Sequence, residues 1–264
     1  MTQTIPVLSL RDFKHGTASQ QAQFVEALGH ALKAIGFFAL VDHEIEADLI
    51  QSAYSQAAAV FALPASVKAQ YENLALQGQR GFTAFGREHA KDSPHPDLKE
   101  FWHIGPAQME PDNIWPREVP AFQTTLQTLF EQLDHCAQCL LQACAIYLNL
   151  PRDFLAATAI DSPTLLRVLH YPPVPPDVPP AQMRAAAHED INLITLLCEA
   201  TAPGLELLQA DGTWLPIAAI PGQIIVDTGD MLQNLTNGLF KSTTHRVMNP
   251  HGDRDRRFSL PFFV

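Results

Sequence analysis

From Leu165 to its end the chain reads as short strands divided by turn signals, and this limits the fold more than any other feature. Leu165 to Tyr171 is one extended run, closed by Pro172-Pro173-Val174-Pro175-Pro176, a loop by composition. Leu193 to Leu197 is another. Pro203-Gly204, Asp211-Gly212, Pro221-Gly222 and Asn237-Gly238 mark turns around Leu205 to Leu208, Trp214 to Ile217 and Gln223 to Asp227. Many short strands separated this way argue a closed or sandwiched all-β core. Gly229-Asp230 precedes a short helical turn, Met231 to Leu235, with Asp230 as the expected N-cap.

The same third of the chain carries the candidate chemistry. His188-Glu189-Asp190 opens it, His245 follows much later, and Arg257-Phe258-Ser259 closes it. Two histidines and one carboxylate are the ligand set of a non-haem Fe(II) centre with open positions. Residues two apart on an extended segment face the same way, so His188 and Asp190 can share one metal while Glu189 turns away. His245 must arrive from another strand. Arg257 and Ser259 obey the same period; a planar guanidinium and a hydroxyl on one face suit a carboxylate. Without a metal, His188 and Asp190 would be a polar turn and His245 a core histidine.

The ordered set His-x-Asp, His and Arg-x-Ser resembles the isopenicillin N synthase-like family of Fe(II)/2-oxoglutarate-dependent oxygenases. The framing phrases are similar too: Gly36-Phe37-Phe38 before a turn at His43-Glu44 (the family has His-Gly there), then Phe61, Leu63, Pro64 and Lys68, and Tyr171-Pro172-Pro173. The resemblance implies a mixed α/β (α+β) fold, a double-stranded β-helix or jelly roll with helices packed outside. It implies a division into an N-terminal oxygenase region at 1–120, buttressing helices at 121–160 and a jelly-roll core at 161–264, in one compact unit.

It also implies a metal site of His188, Asp190 and His245, and cosubstrate binding by Arg257, Ser259 and Tyr171. The family's Asn that approaches the oxoacid is Leu169 here. Segments around Phe82 to Glu88 and Lys99 to His103 lie over the barrel mouth in relatives. Phe85, Glu88, Trp102, His103 and Leu169 are therefore candidates for substrate lining; the alternative is an ordinary amphipathic hairpin. The implied activity is a dioxygenase that hydroxylates, desaturates or cyclises a small organic molecule, using Fe(II), O2 and 2-oxoglutarate, releasing succinate and CO2, and stimulated by ascorbate. Two other readings remain open: a 2-oxoglutarate-independent Fe(II) oxidase of the isopenicillin N synthase kind, and a non-catalytic metabolite sensor. Relatives usually continue into a tail over the barrel mouth, so past Val264 either the pocket is more open or the chain goes on.

The first half supplies helices. Ser19 to Ile35 carries Phe24, Leu28, Ala31, Leu32 and Ile35 along one stripe, Glu46 to Ala62 follows, and Pro64 falls in the first turn of another. Phe122 to Leu148 is a long amphipathic helix, and Asp153-Phe154-Leu155 begins a short one. Ile5 to Leu10 reads as an edge strand, Phe37 to Val41 as a buried strand and Asp97 to Ile104 as another; the polar run His89 to Pro96 between them reads as a surface loop. His170 alternates away from Leu169 and Tyr171 and is left out of the site.

Composition narrows the partners. A formal charge of −11 over 264 residues argues against a nucleic-acid footprint. No apolar run is long enough to cross a bilayer, and Met1 to Pro6 shows no secretory signal, so a cytoplasmic protein is expected, with a monomer compatible. Cys136-x-x-Cys139 lacks the second ligand pair that a structural zinc site requires, and Cys144 falls on the apolar helix face.

Overall fold

Strand β5 (Leu165–Tyr171) shows how the molecule is layered. Leu166 and Val168 enter one large apolar core and His170 stacks on Phe61 and Phe258 of that core, while Leu169 and Tyr171 enter a separate small cluster on the other face. The computed structural model describes residues 4–89, 95–174, 177–179, 182–249 and 256–264. Most of the expected polar loop after His89, with Pro175, Pro176 and Met1 to Gln3, lies outside these residues.

β5 belongs to an eight-stranded sheet. Its order is β1 (Val7–Ser9), β2 (Phe37–Val41), β10 (Ile224–Thr228), β7 (Ile194–Cys198), β12 (Arg257–Phe263), β5, β4 (Glu100–Ile104) and β3 (Gly81–Thr83). A second sheet of four strands runs β6 (Ala185–His188), β11 (His245–Val247), β8 (Leu205–Leu208) and β9 (Trp214–Pro216). Apart from the parallel β1–β2 edge, the pairings are antiparallel. The two sheets make the expected jelly roll.

One face of the large sheet is covered by helices α2 (Ala18–Ala34), α3 (Ala47–Phe61) and α5 (Pro120–Tyr147). Leu28, Leu126, Leu129, Leu133, Leu196 and Phe262 have no exposed surface there. Burying each such side chain stabilises the fold by about 1.5–3 kcal/mol before cavity effects. α6 (Phe154–Ala159) packs beside α5. α4 (Ala65–Lys68) starts at Pro64, which is its N-cap rather than a first-turn residue. A six-residue helix, α1 (Leu10–His15), follows the edge strand directly, where the sequence reads only as strand.

The other face of the large sheet looks at the small sheet. At one end of the gap Phe37, Ala39 and Ile225 meet Leu205, Leu207, Leu215 and Ile217. At the other end Phe101, Leu169 and Tyr171 meet Ala185 and Val247. The polar residues of the site are held between these two apolar plugs.

Two local features bear on the expectations. Glu44 takes φ +64°, the left-handed region where a glycine is easy, and its carboxylate is held by Lys14 and by His15 Nε2 at 2.7 Å. On the helix side of the sheet Glu100 accepts from Lys68 Nζ at 2.7 and 2.8 Å and pairs with His170 Nδ1 at 2.8 Å. That buried network takes up His170 and keeps it out of the site.

Candidate functional site

His188 ends β6, and His245 begins β11 directly opposite it. Asp190 lies two residues beyond His188, in the turn toward β7. One ligand atom from each of the three falls within 4.8 Å of the other two. Among the described residues they are the one such group that could hold a metal ion. Each imidazole is oriented from behind. His188 Nδ1 donates to Ala186 O at 2.7 Å and His245 Nδ1 to Thr243 O at 3.2 Å, because a carbonyl can only accept. Both Nε2 lone pairs are thereby left on the inner side, each 3.8 Å from Asp190 Oδ1. Burial, followed by the neighbouring His245, pushes the His188 pKa down to about 4, so this ring is neutral near pH 7. Two imidazoles, each with its Nε2 turned inward, and the carboxyl group of Asp190 converging on one point fit an Fe(II) ion. Glu189 is exposed and takes a hydrogen bond from Thr244, away from that point.

Two further residues stand behind the carboxylate. Thr195 donates its hydroxyl proton to Asp190 Oδ2 and accepts from Asn192 Nδ2 at 3.0 Å. Asp227 pairs with Thr195 across β10 and β7, is 4% exposed, and has an Oδ1 with no partner. Burial, and then the charge of Asp190, raise its pKa well above the carboxylate range. Sequence reasoning singles out neither residue. The signal available is a lone acid in the apolar run Ile224-Ile225-Val226-Asp227.

Arg257 and Ser259 do share a strand face. Arg257 pairs with Tyr171 and Ser259 with Leu169 across β12 and β5. Arg257 is 1% exposed; its Nε donates to Ala202 O at 3.0 Å and its Nη1 to Ser259 Oγ at 3.1 Å, with the guanidinium 5.1 Å from the Tyr171 ring centre. Among the described residues no carboxylate lies within ion-pair distance of it. A buried guanidinium without an anion is costly, so the site fits a ligand carboxylate. Of the other nearby arginines in the sequence, Arg254 lies outside the described residues and Arg256 is exposed.

The expected lining residues separate. Leu169 joins Phe101 and Tyr171 in the small cluster facing the site. His103 faces the same way, its ring 4.7 Å from Phe101. Glu88 reaches over them to Arg167 and Lys99. Phe85 is 43% exposed in the segment after β3. Trp102 requires a correction: its side chain is wholly buried in the helix-side core, where Nε1 donates to Ile114 O at 2.9 Å, and Phe101 takes the inward position. Asp230 is also corrected. It is the first residue of α7 (Asp230–Leu235), and Gly229 is the N-cap. Cys136, Cys139, Cys144 and Cys198 are buried thiols whose pKa burial raises.

Comparison with known proteins decides the family. Residues 163–264 match the 2OG-Fe(II) oxygenase superfamily model, and residues 5–118 match the N-terminal model of the non-haem dioxygenases in morphine synthesis. A proline hydroxylase of Petromyces alliaceus is 31% identical over 97% of this chain and 85% of its own length. The chain belongs to the 2OG-Fe(II) oxygenase superfamily. A solved structure of a 2OG-Fe(II) oxygenase family protein from Caulobacter crescentus is 42% identical, with a TM-score of 0.87 over 100% of this chain and 87% of that one. A full-length Neurospora crassa protein, solved with alpha-ketoglutarate (2-oxoglutarate), superposes with a TM-score of 0.90 at 27% identity, covering 98% of this chain and 84% of that one. The same Neurospora protein has been solved with alpha-ketoglutarate and thymine together. This member of the superfamily is an Fe(II)- and 2-oxoglutarate-dependent dioxygenase, and Fe(II) and 2-oxoglutarate are its cofactor and cosubstrate.

Proposed function

We propose that His188, Asp190 and His245 hold the Fe(II) of this dioxygenase, and that Arg257 and Ser259, with Tyr171 beside them, hold the far carboxylate of 2-oxoglutarate. The observation that carries this is the pairing of two features on facing sheets: three metal donors within 4.8 Å, and a buried guanidinium with no carboxylate of its own among the described residues. When bound, the iron and 2-oxoglutarate activate dioxygen, with 2-oxoglutarate leaving as succinate and CO2 and the substrate losing a hydrogen.

The protein's own groups do the positioning. Ala186 O and Thr243 O fix the imidazole rings, and Thr195 fixes Asp190. Ser259 and Ala202 O lock Arg257, so its remaining N–H groups meet a carboxylate without reorganising. The apolar plugs at each end of the gap exclude water from the centre. The substrate is a small organic molecule lying against Phe101, Leu169, His103 and Glu88, with Phe85 at the entrance, and it is hydroxylated, desaturated or cyclised. The 1–120, 121–160 and 161–264 regions act as one unit, since the first and third share the eight-stranded sheet and helices of the first two cover it. No helix among the described residues is long and apolar enough to cross a membrane, and a cytoplasmic location agrees with that.

The test is succinate release from 2-oxoglutarate by the purified protein with Fe(II), ascorbate and air. Stoichiometric succinate and CO2 are expected. Iron-dependent oxygen uptake with 2-oxoglutarate left intact would instead indicate an oxidase of the isopenicillin N synthase kind.

A further inference from the structure

Alternation along β4 places Phe101 and His103 on the face of the site, and Lys99, two residues before Phe101, shares that parity. Lys99 precedes Glu100, which pairs with His170, so it falls beside Tyr171. Its charge reaches both Tyr171 and His188. The ammonium is 6% exposed and lies 2.8 Å from Asp97 and 2.6 Å from Glu88. Asp97 is fixed from the other side, because its Oδ1 accepts from Ala186 N at 3.0 Å, two residues before His188.

Arg167 approaches Glu88 from the opposite direction. Its Nη1 and Nη2 meet the two Glu88 oxygens at 3.1 Å each. The guanidinium lies 4.4 Å from the Phe101 ring centre, and its Nε donates to His103 Nε2 at 2.6 Å. His103 can accept there because its Nδ1 donates to Gly78 O, and burial holds its pKa down at about 3. Both imidazole nitrogens are thus occupied within the protein, so His103 offers the substrate no free ring nitrogen and holds Arg167 in place.

Two cations therefore converge on the one Glu88 carboxylate. Burial disfavours its charge, yet Arg167 and Lys99 hold its pKa at about 2. Of the three side chains Glu88 is the most exposed, at 31%, against 19% for Arg167 and 6% for Lys99. It is the member that can move into water at the lowest cost. Two cations and two carboxylates, Glu88 and Asp97, already balance here, so a substrate ammonium would be a third cation repelled by the other two. A substrate carboxylate would replace Glu88 and keep both pairs.

We infer that Lys99 and Arg167 are the specificity-determining residues of this dioxygenase, selecting a substrate that carries a carboxylate, with Glu88 as the internal anion it displaces. The inference rests on the proposed function and adds the substrate class. It can be tested on the Fe(II)-loaded full chain, without oxygen and in saturating 2-oxoglutarate so that the Arg257 position is filled. Phenylacetate, benzoate and indole-3-acetate are titrated calorimetrically against their primary amides and against benzylamine. Acids should bind at least about tenfold tighter than the matched amides, with benzylamine weakest. Arg167→Gln should bring the acid-to-amide ratio close to unity. Glu88→Gln should move it the other way, raising acid affinity, because the amide leaves Arg167 without a carboxylate and Lys99 with Asp97 alone. Amides or benzylamine binding as well as the acids, or no acid binding at millimolar concentration, would overturn the inference. So would a loss of acid preference in Glu88→Gln, which would make Glu88 a structural brace. Failure of the proposed function is read separately, as absence of succinate release by the unchanged protein.

Discussion

His188 and His245 face each other across the β6–β11 pair, their ring centres 4.4 Å apart. Each ring is turned by a carbonyl two residues earlier in the chain, so the strand backbones set the metal geometry. Replacing His188 by Ala removes one donor and leaves the sheet ladder in place. Iron content should fall to near zero while the unfolding midpoint shifts little; full iron occupancy in that variant would remove His188 from the ligand set.

Thr195 is the support of the carboxylate ligand. Thr195→Val keeps the β-branched shape and deletes the donor to Asp190. Loss of such a supporting hydrogen bond costs about 10–100-fold in metal affinity. An iron titration should show that loss, and Thr195→Ser should recover most of it. An unchanged affinity in the Val variant would mean that Asp190 is positioned by its turn alone.

His103 predicts a pH dependence of stability. Its pKa is about 3 in the folded chain against an ordinary value of 6.5, so the unfolded chain binds the extra proton between those values. Stability then rises with pH through that window: the contribution is complete above about 6.5 and is lost as pH falls toward 3. Urea midpoints at pH 7 and pH 5 should differ clearly for the parent protein. His103→Gln can still donate to Gly78 O and accept from Arg167, and its midpoint difference should be smaller. An equal difference in both proteins would contradict the role given to His103.

Much of the fold is legible in the sequence because strand period and helix period are strong signals. Leu165–Tyr171 has the bounds that its composition indicates, and Arg257 with Ser259 falls on one face because side chains alternate along a strand. The inward residue of β4 is not legible. Glu100 to Ile104 is buried on both faces, so polarity gives no parity, and Trp102 is as good a candidate as Phe101 until the strand is seen in its sheet. α1 escapes notice because six residues give too little periodicity to separate a helix from a continuing strand. Lys99, Arg167 and Thr195 become site residues only through cross-strand register, which no local pattern carries.

The division between the metal side and the carboxylate side is tested most directly by paired titrations of Fe(II) and 2-oxoglutarate on the parent, His245→Ala and Arg257→Leu. Breaking a desolvated charged pair costs about 2–5 kcal/mol, which is tens to thousands of fold in affinity. Arg257→Leu should lose 2-oxoglutarate affinity on that scale and keep its Fe(II) affinity, and Arg257→Lys should recover only part, since an ammonium cannot reproduce the planar fork. His245→Ala should lose iron first, and the chelating end of 2-oxoglutarate with it. Parent-like binding of 2-oxoglutarate by Arg257→Leu would contradict the assignment of Arg257 to the cosubstrate carboxylate.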